Sequence, residues 1–97
     1  MLTSKQRAYL KKEANSLDAI FQIGKGGIND AAIKSIGEAL EVRELIKCRV
    51  LESSPLAAKE AANHVAEAVG ADVVQVIGSR MILYKKSEKE PKIELPK

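Results

Sequence analysis

The chain reads as an α/β (α+β) domain of three helices and four strands in the order α-β-α-β-α-β-β, built on a mixed sheet. Three observations carry this reading. Apolar residues recur at helical spacing in three stretches, near residues 2–17, 32–43 and 58–69. Shorter apolar or alternating runs at 19–23, 45–51, 73–77 and 80–85 lie between or after them. Turn signals separate the runs: Gly24-Lys25-Gly26-Gly27 stands between the first strand and the second helix, and Gly78-Ser79 joins the last two strands as a two-residue, glycine-first hairpin. Two strand-helix-strand steps require right-handed crossovers and some parallel pairing, and the terminal hairpin makes the sheet mixed.

Each element follows from its residues. Thr3 followed by Gln6 predicts a capping box and a helix to about Asn15. Leu2, Tyr9, Leu10 and Ala14 share one side of that helix; Lys5, Arg7, Lys11 and Lys12 spread over the other. The first strand, Ala19 to Ile23, is apolar enough for burial. Asn29 is a good N-cap for a second helix that carries Ile33, Ile36 and Leu40 on one face and ends near Arg43. The second strand places Ile46, Cys48 and Val50 on one face and Lys47 and Arg49 on the other, so Cys48 reads as a small core residue. Lys47 and Arg49 extend a basic surface if their face is open, and are ordinary outward residues if it is not. Ser54-Pro55 predicts the start of the third helix, whose Ala58, Ala61, Ala62 and Val65 stripe lies close to a sheet and which Gly70 ends. His64 reads as a surface or boundary residue. On the last strand Arg80, Ile82 and Tyr84 share a face. Residues 1–86 are therefore expected to form one domain, and 87–97, charged and proline-broken, a flexible tail.

Chemistry concentrates at the glycine stretch. Three glycines in four residues let the backbone approach another molecule closely. The helix start beyond offers free N–H groups and the positive end of a dipole, with Lys25 at the tip, which suits a phosphate. The spacing fits neither Walker A nor the dinucleotide fingerprint, where Asn29 stands in place of the third glycine. It does fit Gly-x-x-Gly, the form that clamps a nucleic-acid backbone in KH domains. A KH loop joins two helices, however, and here a strand precedes it. On the loop alone, a phosphate seat and a plain tight turn both remain open.

Composition narrows the classes. With 97 residues there is room for one core, and with one Phe, two Tyr and no Trp that core is aliphatic. No stretch approaches the ~20 apolar residues of a membrane span and no apolar leader opens the chain, so a cytoplasmic protein is expected. A single cysteine gives no internal disulfide and no cysteine metal site. No cofactor and no metal are expected, and a monomer is. The net charge of +3 lies in the first half, where nine Lys/Arg face six Asp/Glu against seven and seven in the second. A basic patch beside a phosphate-seating loop is the footprint of a nucleic-acid binder.

Three segments together carry a resemblance. Leu2-Thr3-x-Lys5-Gln6-Arg7-x-Tyr9-Leu10, Ile23-Gly24-Lys25-Gly26-Gly27-Ile28 and Val76-Ile77-Gly78-x-Arg80-x-x-Leu83-Tyr84 resemble, in order and spacing, signature segments of the CRM domain. This YhbY-like family is named for chloroplast RNA splicing and ribosome maturation. The resemblance implies a fold similar to the C-terminal domain of translation initiation factor three, with a sheet in the order 1-2-4-3. It also implies RNA binding through Gly24, Lys25, Gly26 and Gly27 and nearby basic residues. Stand-alone bacterial members are associated with precursors of the large ribosomal subunit, and a single domain without a transit-like extension fits that type. The expectation is a non-enzymatic protein that docks on structured ribosomal RNA. Lys5, Arg7, Lys11 and Lys12 would supply a diffuse field, with Arg80 and Tyr84 in reach of bases or phosphates. The alternative is a protein-interaction adaptor whose basic helix meets acidic protein surfaces and whose ribosome association is indirect.

Overall fold

A computed structural model describes residues 2–96. Helix α1 spans Ser4–Ala14, β1 Ala19–Ile23, α2 Asp30–Arg43, β2 Leu45–Val50, α3 Ala58–Val69, β3 Asp72–Ile77 and β4 Arg80–Tyr84. The sheet has the order β1-β2-β4-β3, as the resemblance implied. β1 and β2 pair in parallel; β4 lies antiparallel to both β2 and β3.

The sheet separates two apolar layers because its strands alternate. Ile46, Cys48, Val50, Met81 and Leu83 point to one side, where they meet Ile36 and Leu40 of α2 and Ala61, Ala62 and Val65 of α3. The alanines allow α3 to lie close. Cys48 is fully buried here, and burial pushes its thiol up to about 12, so it is a core atom and not a nucleophile. On the other side Leu45, Val74, Ile82 and Tyr84 pack under Leu10 and Ala14 of α1 and under Leu2, which precedes it.

Local signals act as expected at two helix starts. Thr3 Oγ1 accepts from the Gln6 N–H at 3.1 Å and Gln6 Oε1 accepts from the Thr3 N–H at 3.0 Å, a complete capping box. Asn29 Oδ1 accepts from the Ala32 N–H at 2.8 Å. Helix α3 differs: it begins at Ala58, with no side-chain cap at Ala57, and not at Ser54-Pro55. The Ser54 hydroxyl instead donates to the Leu56 carbonyl at 2.9 Å and accepts from the Leu56 N–H at 3.2 Å, forming a local turn that competes with the helix. Strand β1 also differs, being an edge strand in which Ile20 and Gln22 are exposed.

The segment expected to be a flexible tail is docked over its described residues, 87–96. Its anchor is Glu44, which caps α2 at a positive φ (64°) and is fully buried. The Glu44 carboxylate accepts from the backbone N–H groups of Ser87 at 2.8 Å, Ile93 at 2.8 Å, and Lys92. Glu41 accepts from the Ser87 hydroxyl at 2.9 Å and the Lys89 N–H at 3.1 Å. Ile93 and Leu95 then pack against the layer under α1, and Pro96 accepts from the Gln6 side chain at 3.1 Å. Composition alone missed this because the partners are two carboxylates more than forty residues upstream.

Candidate nucleic-acid interface

The glycine stretch leaves β1 at Ile23 and reaches the α2 N-cap six residues later. A tight turn closes it, with the Gly27 N–H donating to the Gly24 carbonyl at 2.9 Å. Gly27 is required by geometry: its φ is +64°, and a Cβ there would stand 3.1 Å from Cγ of Pro55. Gly26 has neither reason. Its φ is not positive, and a Cβ would meet only the Asn29 side-chain nitrogen, at 4.0 Å. Both Gly26 and Lys25 are exposed, so the tip is a bare stretch of backbone with one ammonium beside it, at the start of a 14-residue helix. That arrangement suits an anion.

Pairing across the sheet brings further side chains to the same end of the strands. Gln22 stands beside Arg49, Arg49 opposite Arg80, and Arg80 opposite Ile77. The four form one transverse row on the face that carries α1, and all four are exposed. Helix α1 covers the other end of that face, over Leu45 and Tyr84. Four residues separate Leu45 from Arg49 along β2, roughly 13 Å of strand. The row therefore lies between α1 and the end from which the glycine stretch, the 51–57 loop and the Gly78-Ser79 turn emerge. Lys47, half buried, sits one pleat behind Arg49.

The expected residues divide by environment. Gly24, Lys25, Gly26, Gly27 and Arg80 come to one end of the sheet; Lys5 and Lys12 lie exposed on α1, and Lys11 is half buried there. Arg7 is partly occupied: its guanidinium donates to the Val73 carbonyl and, at 3.0 Å, to that of Val74, where β3 breaks register. Tyr84 is corrected. It shares a face with Arg80 as expected, but it is 5 % exposed and packed beneath α1, so its ring is core and unavailable for stacking on a base. Sequence reading left Lys47 and Arg49 undecided and passed over Gln22 and Ile77. Strand alternation places each on a face, but only strand order and register make them neighbours.

No helix among the described residues is long and apolar enough to cross a membrane. A surface hollow of about 560 Å³ lies between Tyr9, Leu17, Val42, Leu45 and Ile93. It is at the far end of α2 from the glycine stretch, roughly 20 Å away by the rise of that helix.

The chain is similar to several known proteins. The chain is 49 % identical to the probable RNA-binding protein YqeI of Bacillus subtilis, over 99 % of this chain and all of that one. It is 33 % identical to an RNA-binding protein of Haemophilus influenzae, covering 99 % of this chain and 96 % of the relative. Among solved structures it is similar to the solution structure of a hypothetical protein from Staphylococcus aureus, with a TM-score of 0.79, 47 % identity, and coverage of 99 % and 100 % of the two chains. The model of the CRS1 / YhbY (CRM) domain matches residues 2–85, and the chain belongs to that family.

Proposed function

We infer that this protein is a non-enzymatic RNA-binding protein that docks on structured ribosomal RNA during assembly of the large ribosomal subunit. The observation that carries the RNA contact is the Gly24-Lys25-Gly26-Gly27 stretch before α2, whose tip, Lys25 and Gly26, is exposed and where Gly26 is free of any structural need for glycine. Relatives across nearly the full chain named as RNA-binding proteins support the ligand class. In this reading the loop amides and Lys25 hold phosphate, and Arg49, Arg80, Lys5 and Lys12 widen the attractive field. Phosphate contacts position the protein without reading sequence, so target choice rests on RNA shape. The thiol of Cys48 is buried and raised to about 12, so it is not an activated nucleophile. The ribosomal target and the absence of catalysis are part of the proposal, with a cytoplasmic monomer as the acting form.

The test is ultraviolet crosslinking in cells with sequencing of the attached RNA, comparing the wild type with a Lys25→Asp/Gly26→Asp variant. An aspartate fits the open space at position 26 without disturbing the fold, while its charge repels phosphate. Crosslinks focused on large-subunit ribosomal RNA and lost in the variant are expected. Crosslinks spread over messengers would retain the RNA contact and overturn the ribosomal target. Crosslinks unchanged in the variant would reduce the loop to a turn.

A further inference from the structure

The row Gln22, Arg49, Arg80 and Ile77 is an unusual thing to leave on a sheet. Like charges directly opposite each other on adjacent strands destabilise the pairing. Arg49 and Arg80 are such a pair, on a central pairing of the sheet, and the row contains no acid. Beside them Ile77 is 54 % exposed, although its strand has an apolar layer available on the opposite face. Repulsion between two guanidiniums and exposure of a large aliphatic side chain are both relieved by one kind of occupant. It must be anionic at the centre of the row and offer a flat apolar surface at its edge.

We propose that this row is a second contact surface for RNA and that it takes an unpaired strand, which crosses the sheet beside the helical RNA held at the glycine loop. The inference rests on the RNA-binding reading above and specifies the form of RNA at this face. A phosphate between the guanidiniums of Arg49 and Arg80 cancels their repulsion, and a guanidinium plane also stacks on a base. Ile77 offers an apolar surface to the face of a neighbouring base, and the Gln22 amide can donate to or accept from a base edge. A duplex cannot use Ile77, because its base faces are already stacked on one another. Three strand spacings separate Gln22 from Ile77, roughly 14 Å, which is enough for a strand of a few nucleotides.

The test measures affinity for two RNA hairpins with the same short closing loop and equal numbers of phosphates, one with a blunt, fully paired stem and one with six of its nucleotides left as an unpaired end. The proteins compared are the wild type, Arg49→Gln/Arg80→Gln, Ile77→Ser, and the Lys25→Asp/Gly26→Asp loop variant. The wild type is expected to bind the hairpin with the unpaired end roughly tenfold more tightly, the scale of stacking one base on a protein surface. The arginine variant is expected to lose most of that preference while weakening only a few-fold on the paired hairpin. Ile77→Ser should reduce the preference without changing affinity for the paired hairpin, and the loop variant should weaken both. The melting temperature of the arginine variant should equal or exceed that of the wild type, since a repulsion has been removed.

Equal losses on both hairpins in the arginine and Ile77 variants would reduce the row to part of a diffuse field and overturn the proposal. So would a wild type without preference, or a fall in melting temperature that shows the arginine pair to be structural. A wild type that binds neither hairpin would instead remove the RNA-binding reading itself, and the row's role with it.

Discussion

At the scale of single residues, the two inner glycines of the loop separate structure from function. Gly27 is held at φ +64° with Pro55 against the position a Cβ would take, so Gly27→Ala combines left-handed strain with a close contact. The strain alone costs about 1–2 kcal/mol, which for a domain of this size corresponds to a fall in melting temperature of roughly 4–16 °C. Gly26→Ala meets open space at an ordinary φ and should leave the melting temperature unchanged or slightly raised. Its effect should appear on the ligand, as a several-fold loss of RNA affinity if the RNA backbone lies against the loop. Thermal melts and binding isotherms on the two variants check both halves. Equal affinity of Gly26→Ala and wild type would show that nothing approaches the tip closely. Sequence identifies both glycines as one motif; the fold tells them apart, by the positive φ at Gly27 and by Pro55, brought against it from the 51–57 loop. Tyr84 shows the same limit, since the strand pattern placed it beside Arg80 and Ile82 but could not show that α1 stops over it and leaves Arg80 bare.

At the scale of elements, what was legible depended on sequence distance. Thr3 with Gln6, Asn29 with Ala32, and the Gly78-Ser79 hairpin are decided within a few residues, and the structure has each of them. The start of α3 failed because Ser54 had two local options, and a turn to Leu56 won over a helix cap. The docking of 87–96 failed because Glu44 looks like an ordinary helix-end acid in sequence. Burial pushes its carboxyl up, but bonds from the Ser87, Lys92 and Ile93 N–H groups more than offset this and hold it below the ordinary value of 4.5. Glu41 is likewise lowered, mainly by the Ser87 hydroxyl and the Lys89 N–H. Carboxyls lowered in the folded state stabilise it above their unfolded value, and that stabilisation is lost as pH falls through the folded value. The strap should therefore loosen at acid pH, below 4.5, while remaining docked at neutral pH. Hydrogen exchange at the Lys92 and Ile93 amides, followed against pH, is expected to show falling protection in that range. Glu44→Gln should abolish the pH dependence at those two amides and leave that of Lys89, which depends on Glu41. Persistent protection of Lys92 and Ile93 in acid would mean that the packing of Ile93 and Leu95 holds the strap without the carboxylate.

At the scale of the whole molecule, the fold divides the basic groups into two fields that the linear sequence had merged. Lys5 and Lys12 ride on α1, over the Leu45 and Tyr84 end of one face; Lys25, Arg49 and Arg80 stand at the other end of the strands. Arg7 is engaged with the β3 backbone and contributes less than its charge suggests. About five cationic groups are then free to neutralise phosphates, and log K should fall against log salt with a slope of very roughly −3.5 to −4.5, spanning the coefficients of single strands and duplexes. The partition of that slope tests the geometry. If the two fields act on one RNA, removing Lys5 and Lys12 together should lower the slope by roughly 1.4–1.8, and removing Arg49 and Arg80 together by a similar amount, because each group releases its own counterions. If the RNA reaches only the loop end, the α1 substitutions should leave the slope where it was while the arginine substitutions lower it. A slope near zero in the wild type would overturn electrostatic capture altogether, since neither field could then be neutralising phosphate. Titration of each variant across a range of salt concentrations therefore maps the RNA footprint onto the two ends of the sheet.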